Sequence, residues 1–150
     1  MKLKIMAAIL AGFAVMAAAE GVKINTTEVD GRLVDDINLP FVNDPAVPGE
    51  WVSVDFVRTP EQFVPGEKVF GGDLYMSGLV FRPNGELRFN GNATPWFKWT
   101  KGVVTHSGDR TAQRYTIKAI KGVKYMFFEW KSGDYSIRHR QPNYYVLIKK

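Results

Sequence analysis

The sequence predicts an all-β protein, an antiparallel up-and-down barrel of about eight strands behind an N-terminal arm. Three observations carry that expectation. After Gly49-Glu50-Trp51, short apolar segments alternate with turn signals about every 10 to 13 residues. No segment beyond Trp51 sustains the period of about 3.6 residues that marks an amphipathic helix. The connections are uniformly short, which favours sequential pairing in a meander over the longer crossovers of a sandwich, the competing all-β architecture.

The elements follow in order. Residues 1–19 read as a cleaved secretory signal peptide: a basic start at Lys2 and Lys4, an uncharged apolar stretch from Ile5 to Met16, then Ala17-Ala18-Ala19 before Glu20. Ile5 to Ala19 is shorter than the roughly 20 residues of a spanning helix, so no stable membrane span is expected once cleavage falls between Ala19 and Glu20. The address implied is periplasmic or extracellular. Residues 20–48 read as an arm, because Pro40, Pro45 and Pro48 disfavour a sheet interior. Ile37, Leu39, Phe41 and Val42 are too apolar for a wholly solvated tail, so part of the arm should lie on the main domain.

Residues 49–150 form the expected barrel. Its strands are Trp51–Arg58, Leu74–Arg82, Glu86–Asn90, Trp96–Thr105, Thr111–Ile120, Val123–Lys131, Tyr135–Arg140 and Tyr144–Lys149. Asn84-Gly85 between two of them is a strong hairpin signal. Val123–Lys131 is mostly apolar on both faces, with Val123, Tyr125, Phe127 and Glu129 on one and Lys124, Met126, Phe128 and Trp130 on the other. Its outer side needs a cover, for which residues 37–42 are the nearest candidate and a second copy of the chain the next.

Composition narrows the function. The chain has no cysteine, so disulfides and thiolate metal sites are excluded. The formal charge of +5 falls to about +3 without Lys2 and Lys4, too mild for a nucleic-acid footprint. Neither a nucleophile elbow, a His-Glu-x-x-His helix nor a P-loop occurs. His106 beside Ser107-Gly108-Asp109 reads as a solvated loop histidine, and His139 sits between Arg138 and Arg140. No catalytic residue, metal or cofactor is expected, and the protein reads as a non-enzyme.

Gly49-Glu50-Trp51 at the head of a meander resembles the Gly-x-Trp signature of lipocalins and the wider calycin group. That resemblance implies that Trp51 closes the barrel floor beneath a stacked cation, here Arg138, Arg140 or Lys149. The chain departs from it in having a short barrel section and no helix after it. Asn43-Asp44-Pro45, Phe63-x-Pro65-Gly66 and Phe127-Phe128-Glu129-Trp130-Lys131-Ser132-Gly133-Asp134-Tyr135 also look like an uncharacterised bacterial extracytoplasmic domain. Such domains occur alone behind signal peptides and at the C-terminal end of membrane metallopeptidases related to β-lactam sensors. This second resemblance implies a compartment and a sensing or binding role, with no reaction attached.

The candidate ligand-binding set is Trp51, Asp55, Trp99, Tyr115, Phe127, Glu129, Arg138 and Tyr145. If Trp51 points inward, a period of two places Ser53 and Asp55 inward as well. Asp55 and Glu129 either form structural ion pairs, with Arg114, Arg138 or Arg140 as partners, or orient a ligand's polar group. Trp96-Phe97-Lys98-Trp99 is core, the lining of a cavity shared with Tyr115 and Tyr145, or an exposed stacking platform. The functional expectation is an exported carrier that holds a small apolar or amphipathic ligand in its barrel. The alternative is a solid-cored module that engages an envelope protein, peptidase or glycan through its surface.

Overall fold

The computed structural model describes residues 22–150. The signal-peptide expectation for residues 1–19, with its cleavage point, lies outside the described residues. The strands are β1 (Thr26–Val29), β2 (Arg32–Asp35), β3 (Gly49–Val57), β4 (Gly78–Phe81), β5 (Glu86–Phe89), β6 (Asn92–Thr100), β7 (Val103–His106), β8 (Thr111–Ile120), β9 (Val123–Trp130) and β10 (Asn143–Lys149). A helical turn, α1 (Gly133–Ser136), separates β9 from β10. Strands β3 to β10 pair in sequence, and β10 returns to β3, so all eight close into an antiparallel barrel. The predicted fold class is the observed one.

The count of eight conceals two compensating differences. The segment expected as one strand, Trp96–Thr105, is the end of β6, a turn at Lys101-Gly102, and β7. Gly102 sits at φ +82°, the left-handed conformation that a side chain disfavours. Upstream, Asn90 and Gly91 both take positive φ in a two-residue turn, so β6 begins at Asn92 instead of Trp96. In the other direction, the expected strand Tyr135–Arg140 does not form. Ser132 accepts the Asp134 N–H with its side chain and caps α1, and the Gly133 carbonyl then accepts the amides of both Ile137 and Arg138.

The arm contains structure of its own. Strands β1 and β2 make a hairpin, and Asp35 at its end is buried against β8 and Lys131. Pro40 to Val42 run along the turn after β6, where the Thr100 hydroxyl accepts the Val42 N–H at 2.7 Å and donates to the Pro40 carbonyl. Phe41 stands edge-on to Trp99, with ring centres 5.2 Å apart.

The core has two layers. Trp51, Met76, Leu79, Phe81, Leu87, Trp99, Met126, Phe128 and Leu147 fill the barrel, each at most 3% exposed. Outside β9 and β10, Tyr125, Phe127 and Val146 form a second cluster with Val57 and Phe63. The cover over β9 is therefore not the arm. Phe63, at the end of a short 3-10 turn after β3, packs 4.9 Å from Tyr125 and 5.9 Å from Phe127 between ring centres.

Candidate functional site

Directly paired residues in an antiparallel ladder share a face, so the register sorts the eight candidate residues into inside and outside. Trp51 pairs with Lys149, Tyr145 with Phe56 and with Phe128, Tyr115 with Phe128, and Trp99 with Val104. These four aromatic residues point into the barrel and belong to its inner cluster.

Asp55 does not follow. Opposite β10, Leu147 pairs with Ser53 and Val146 with Asp55, which leaves Val54 as an extra residue in β3. This β-bulge reverses the alternation, so Phe56 takes the inward position expected of Asp55. Asp55 is fully buried on the outer side, under the loop between β3 and β4. Its carboxylate accepts the N–H groups of Phe56 (2.8 Å), Val69 (2.8 Å) and Phe70 (3.0 Å). Every one of those donors belongs to the chain itself, and the carboxylate fastens a loop.

Phe127 and Glu129 also lie outside, since the alternate residues Met126 and Phe128 fill the interior. Glu129 accepts the backbone N–H of Arg114 at 2.7 Å, with the Arg114 guanidinium at 3.9 Å. Beside it, Tyr144 has its pKa raised, first by burial and next by the Glu129 charge. Arg138 stands in the segment after α1, largely exposed and paired with Asp134 at 2.8 Å. The structure thus brings together Trp51, Trp99, Tyr115 and Tyr145, and leaves Asp55, Phe127, Glu129 and Arg138 outside.

The inward aromatic residues carry polar atoms, and each has a partner within the chain. At the floor, the turn from Asp44 to Val47 closes the barrel like a plug. Trp51 Nε1 donates to the Val47 carbonyl at 2.9 Å, Tyr115 Oη to Asp44 Oδ2 at 3.0 Å, and Lys149 Nζ to the Ala46 carbonyl at 3.0 Å. Lys149 Nζ also lies 5.7 Å from the Trp51 ring centre, so among the three candidate cations it is Lys149 that meets the indole. At the same end, Trp99 Nε1 donates to the Arg82 carbonyl at 2.7 Å, and higher up Tyr145 Oη accepts the Met76 N–H at 3.2 Å. Burial raises the pKa of both Tyr115 and Tyr145, and for Tyr115 the neighbouring Asp44 adds to the shift. The barrel centre is packed with side chains, as protein interiors normally are.

An opening remains at the other end. A cleft of about 230 Å³ lies between the ends of β5, β6, β7 and β9. Its walls are aromatic: Phe89 stacks on Phe97 at 5.5 Å and on Trp130 at 6.2 Å, while Tyr75 and Trp96 stand at the rim, 72% and 47% exposed. At its base is Gln113, which pairs with the buried Val104 and is therefore the inward polar residue of β8 at this end. His106 forms one side. Its Nδ1 accepts the Asp109 N–H at 2.9 Å, which places the ring proton on Nε2 and makes that atom a donor.

Gln113, His106, Trp130 and Lys131 are absent from the ligand-binding set expected from the sequence. His106 is half-buried in β7 against Phe97, and so is not the solvated loop residue expected. The strand pattern held a signal for Gln113, a lone amide between Ala112 and Arg114 in a strand whose neighbours are apolar or long. The others join the cleft only because three separate strands end at one level. Among the described residues, no group of three or more His, Asp or Glu side chains is placed to hold a metal ion. No described helix is long and apolar enough to cross a membrane.

Comparison of the chain with protein-family models, curated proteins and solved structures returns no match. The class defined by fold is thus a closed eight-stranded antiparallel barrel, consistent in architecture with the lipocalin-like barrel that the sequence predicts.

Proposed function

We propose that this chain is an exported, non-catalytic binding protein of lipocalin-like build that takes a small amphipathic ligand at the mouth of its barrel. The carrying observation is the aromatic-walled cleft that ends on Gln113 and His106. Aromatic walls supply apolar contact to a flat ring, and the two donors suit an acceptor oxygen on it. The volume sets the size. At about 230 Å³ the cleft falls just below the roughly 300 Å³ at which drug-sized sites begin, so a single ring with short substituents fits and a long acyl chain does not. The signal-like first 19 residues and the resemblance to a bacterial extracytoplasmic domain support the exported address.

The filled interior favours this reading over a carrier with a central cavity. It also favours the second reading, a surface module for an envelope protein, peptidase or glycan, with Tyr75 and Trp96 at the rim as contacts. One experiment separates them. Quenching of tryptophan fluorescence is titrated with N-acetylated monosaccharides, hydroxylated aromatic acids and fatty acids, on the natural chain and on Gln113→Leu. The mouth reading expects binding of ring compounds that weakens about tenfold in Gln113→Leu. Absence of any small-molecule binding, together with recovery of a protein from envelope extract, replaces it with the surface module.

A further inference from the structure

We infer that the outer wall of the barrel carries a second site, a trough for an extended anionic glycan chain. Its origin is a defect in the β5–β6 ladder. Glu86 pairs with Lys98 and Arg88 with Ala93, so Leu87 alone faces the four residues Thr94 to Phe97. Pro95 has no N–H to offer, and the Thr94 hydroxyl bonds the Leu87 carbonyl instead, at 3.1 Å. The wall splays at this point and leaves a depression of about 440 Å³.

Charge lines that depression. Arg82, Arg88 and Lys98 are exposed beside it, with Glu86 the carboxylate among its lining residues. Among the described residues none of the three cations has an ion-pair partner within 4.0 Å. The excess of positive charge selects an anionic occupant. Glu86 and Lys98 also line a second depression of about 440 Å³, which continues to Asn84 and Phe41 on the arm. Two adjoining hollows on one face suit a chain of units better than a single small molecule. Phe41, 46% exposed, offers a ring on which a sugar face can stack, and Asn84 an amide for its hydroxyls.

A peptide is the poorer fit. Extended peptides bind sheets chiefly by adding a strand to a free edge, and a closed barrel has no such edge. The acid groups on the glycan are carboxylates or sulfates, and polygalacturonate and heparin distinguish those sources.

The test is affinity electrophoresis of the full chain through polygalacturonate, heparin and neutral dextran, with poly-glutamate and single-stranded DNA as rival polyanions. One triple variant is Arg82→Gln/Arg88→Gln/Lys98→Gln. A control of equal charge change, Lys118→Gln/Lys121→Gln/Lys124→Gln, lies around the β8–β9 turn. Near-ultraviolet circular dichroism checks that both retain the fold, and the single exposed reversal Lys98→Glu serves if the first triple does not. At least one acidic glycan should retard the chain, and dextran should not. The site variant should lose about tenfold in affinity and the control less than about twofold, with a shallower salt dependence in the site variant. Equal losses in the two triple variants, no retardation by either acidic glycan, or tighter binding of poly-glutamate or DNA overturns the assignment. Gln113→Leu should leave glycan retardation unchanged, so this site and the mouth succeed or fail independently.

Discussion

Lys131 reaches across 96 residues of chain to Asp35, with Nζ 2.7 Å from Oδ2 and both side chains almost wholly shielded from solvent. The carboxylate is otherwise saturated. It accepts the Ala112 N–H at 2.8 Å and the Thr26 hydroxyl at 2.7 Å, while the Tyr135 ring lies 4.5 Å from the ammonium. This pair ties the β1–β2 hairpin to the barrel through β8 and the segment that follows β9. Removing one member of a buried pair leaves an uncompensated charge and typically costs about 3–5 kcal/mol. Lys131→Met and Asp35→Leu should each lower stability by about that amount in urea denaturation. The double variant should recover a large part of the sum, since no lone charge remains. Strictly additive losses would refute the coupling.

Asp55 makes a different prediction because its partners are backbone amides. Asp55→Ala deprives Phe56, Val69 and Phe70 of their acceptor, and a charge-assisted hydrogen bond contributes about 1.5–3 kcal/mol. The loss should be local first. Hydrogen exchange at Val69 and Phe70 should accelerate well before exchange at the β9 amides of Met126 and Phe128. Uniform acceleration of both sets would place Asp55 in the global core instead of the loop.

The outer cluster can be tested by two phenylalanines. Phe63 is 8% exposed and covers Tyr125 and Phe127, whereas Phe41 is 46% exposed over Trp99. Phe63→Ala should cost about 3 kcal/mol, the low end for a buried phenylalanine. Phe41→Ala should cost less than about 1 kcal/mol by thermal or urea unfolding. The reverse order would remove Phe63 as the principal cover of the outer cluster.

Alkaline pH probes the tyrosines. Tyr115, Tyr144 and Tyr145 all have folded pKa values raised above the ordinary phenol value of 10.0, in each case chiefly by burial. The folded state therefore holds these protons where the unfolded chain releases them. Stability from this source is fully present below pH 10 and falls as pH rises beyond it. In an ultraviolet titration, three of the six tyrosines should resist ionisation past pH 10 and then ionise together with unfolding. Smooth titration of all six around pH 10 would contradict it. Tyr115→Phe should also loosen the floor plug, because Asp44 Oδ2 loses its donor.

The sequence by itself determined what local chemistry can encode. Turn residues such as Asn84-Gly85 and the lack of helical periodicity specify short antiparallel strands, and short connections make them neighbours. The expected strand Trp96–Thr105 is two strands because strand-forming residues flank Lys101-Gly102 on both sides, and the left-handed backbone at Gly102 turns the chain between them. Which face a side chain takes was another matter. A single extra residue, Val54, turned Asp55 out of the barrel and brought Phe56 in, and a bulge is defined by the partner strand, which lies some 90 residues away in the chain. The mouth cleft is likewise tertiary. Gln113, His106 and Trp130 are unremarkable in their own segments, and they meet because closure brings three strand ends to one rim, a geometry set by strand tilt and stagger.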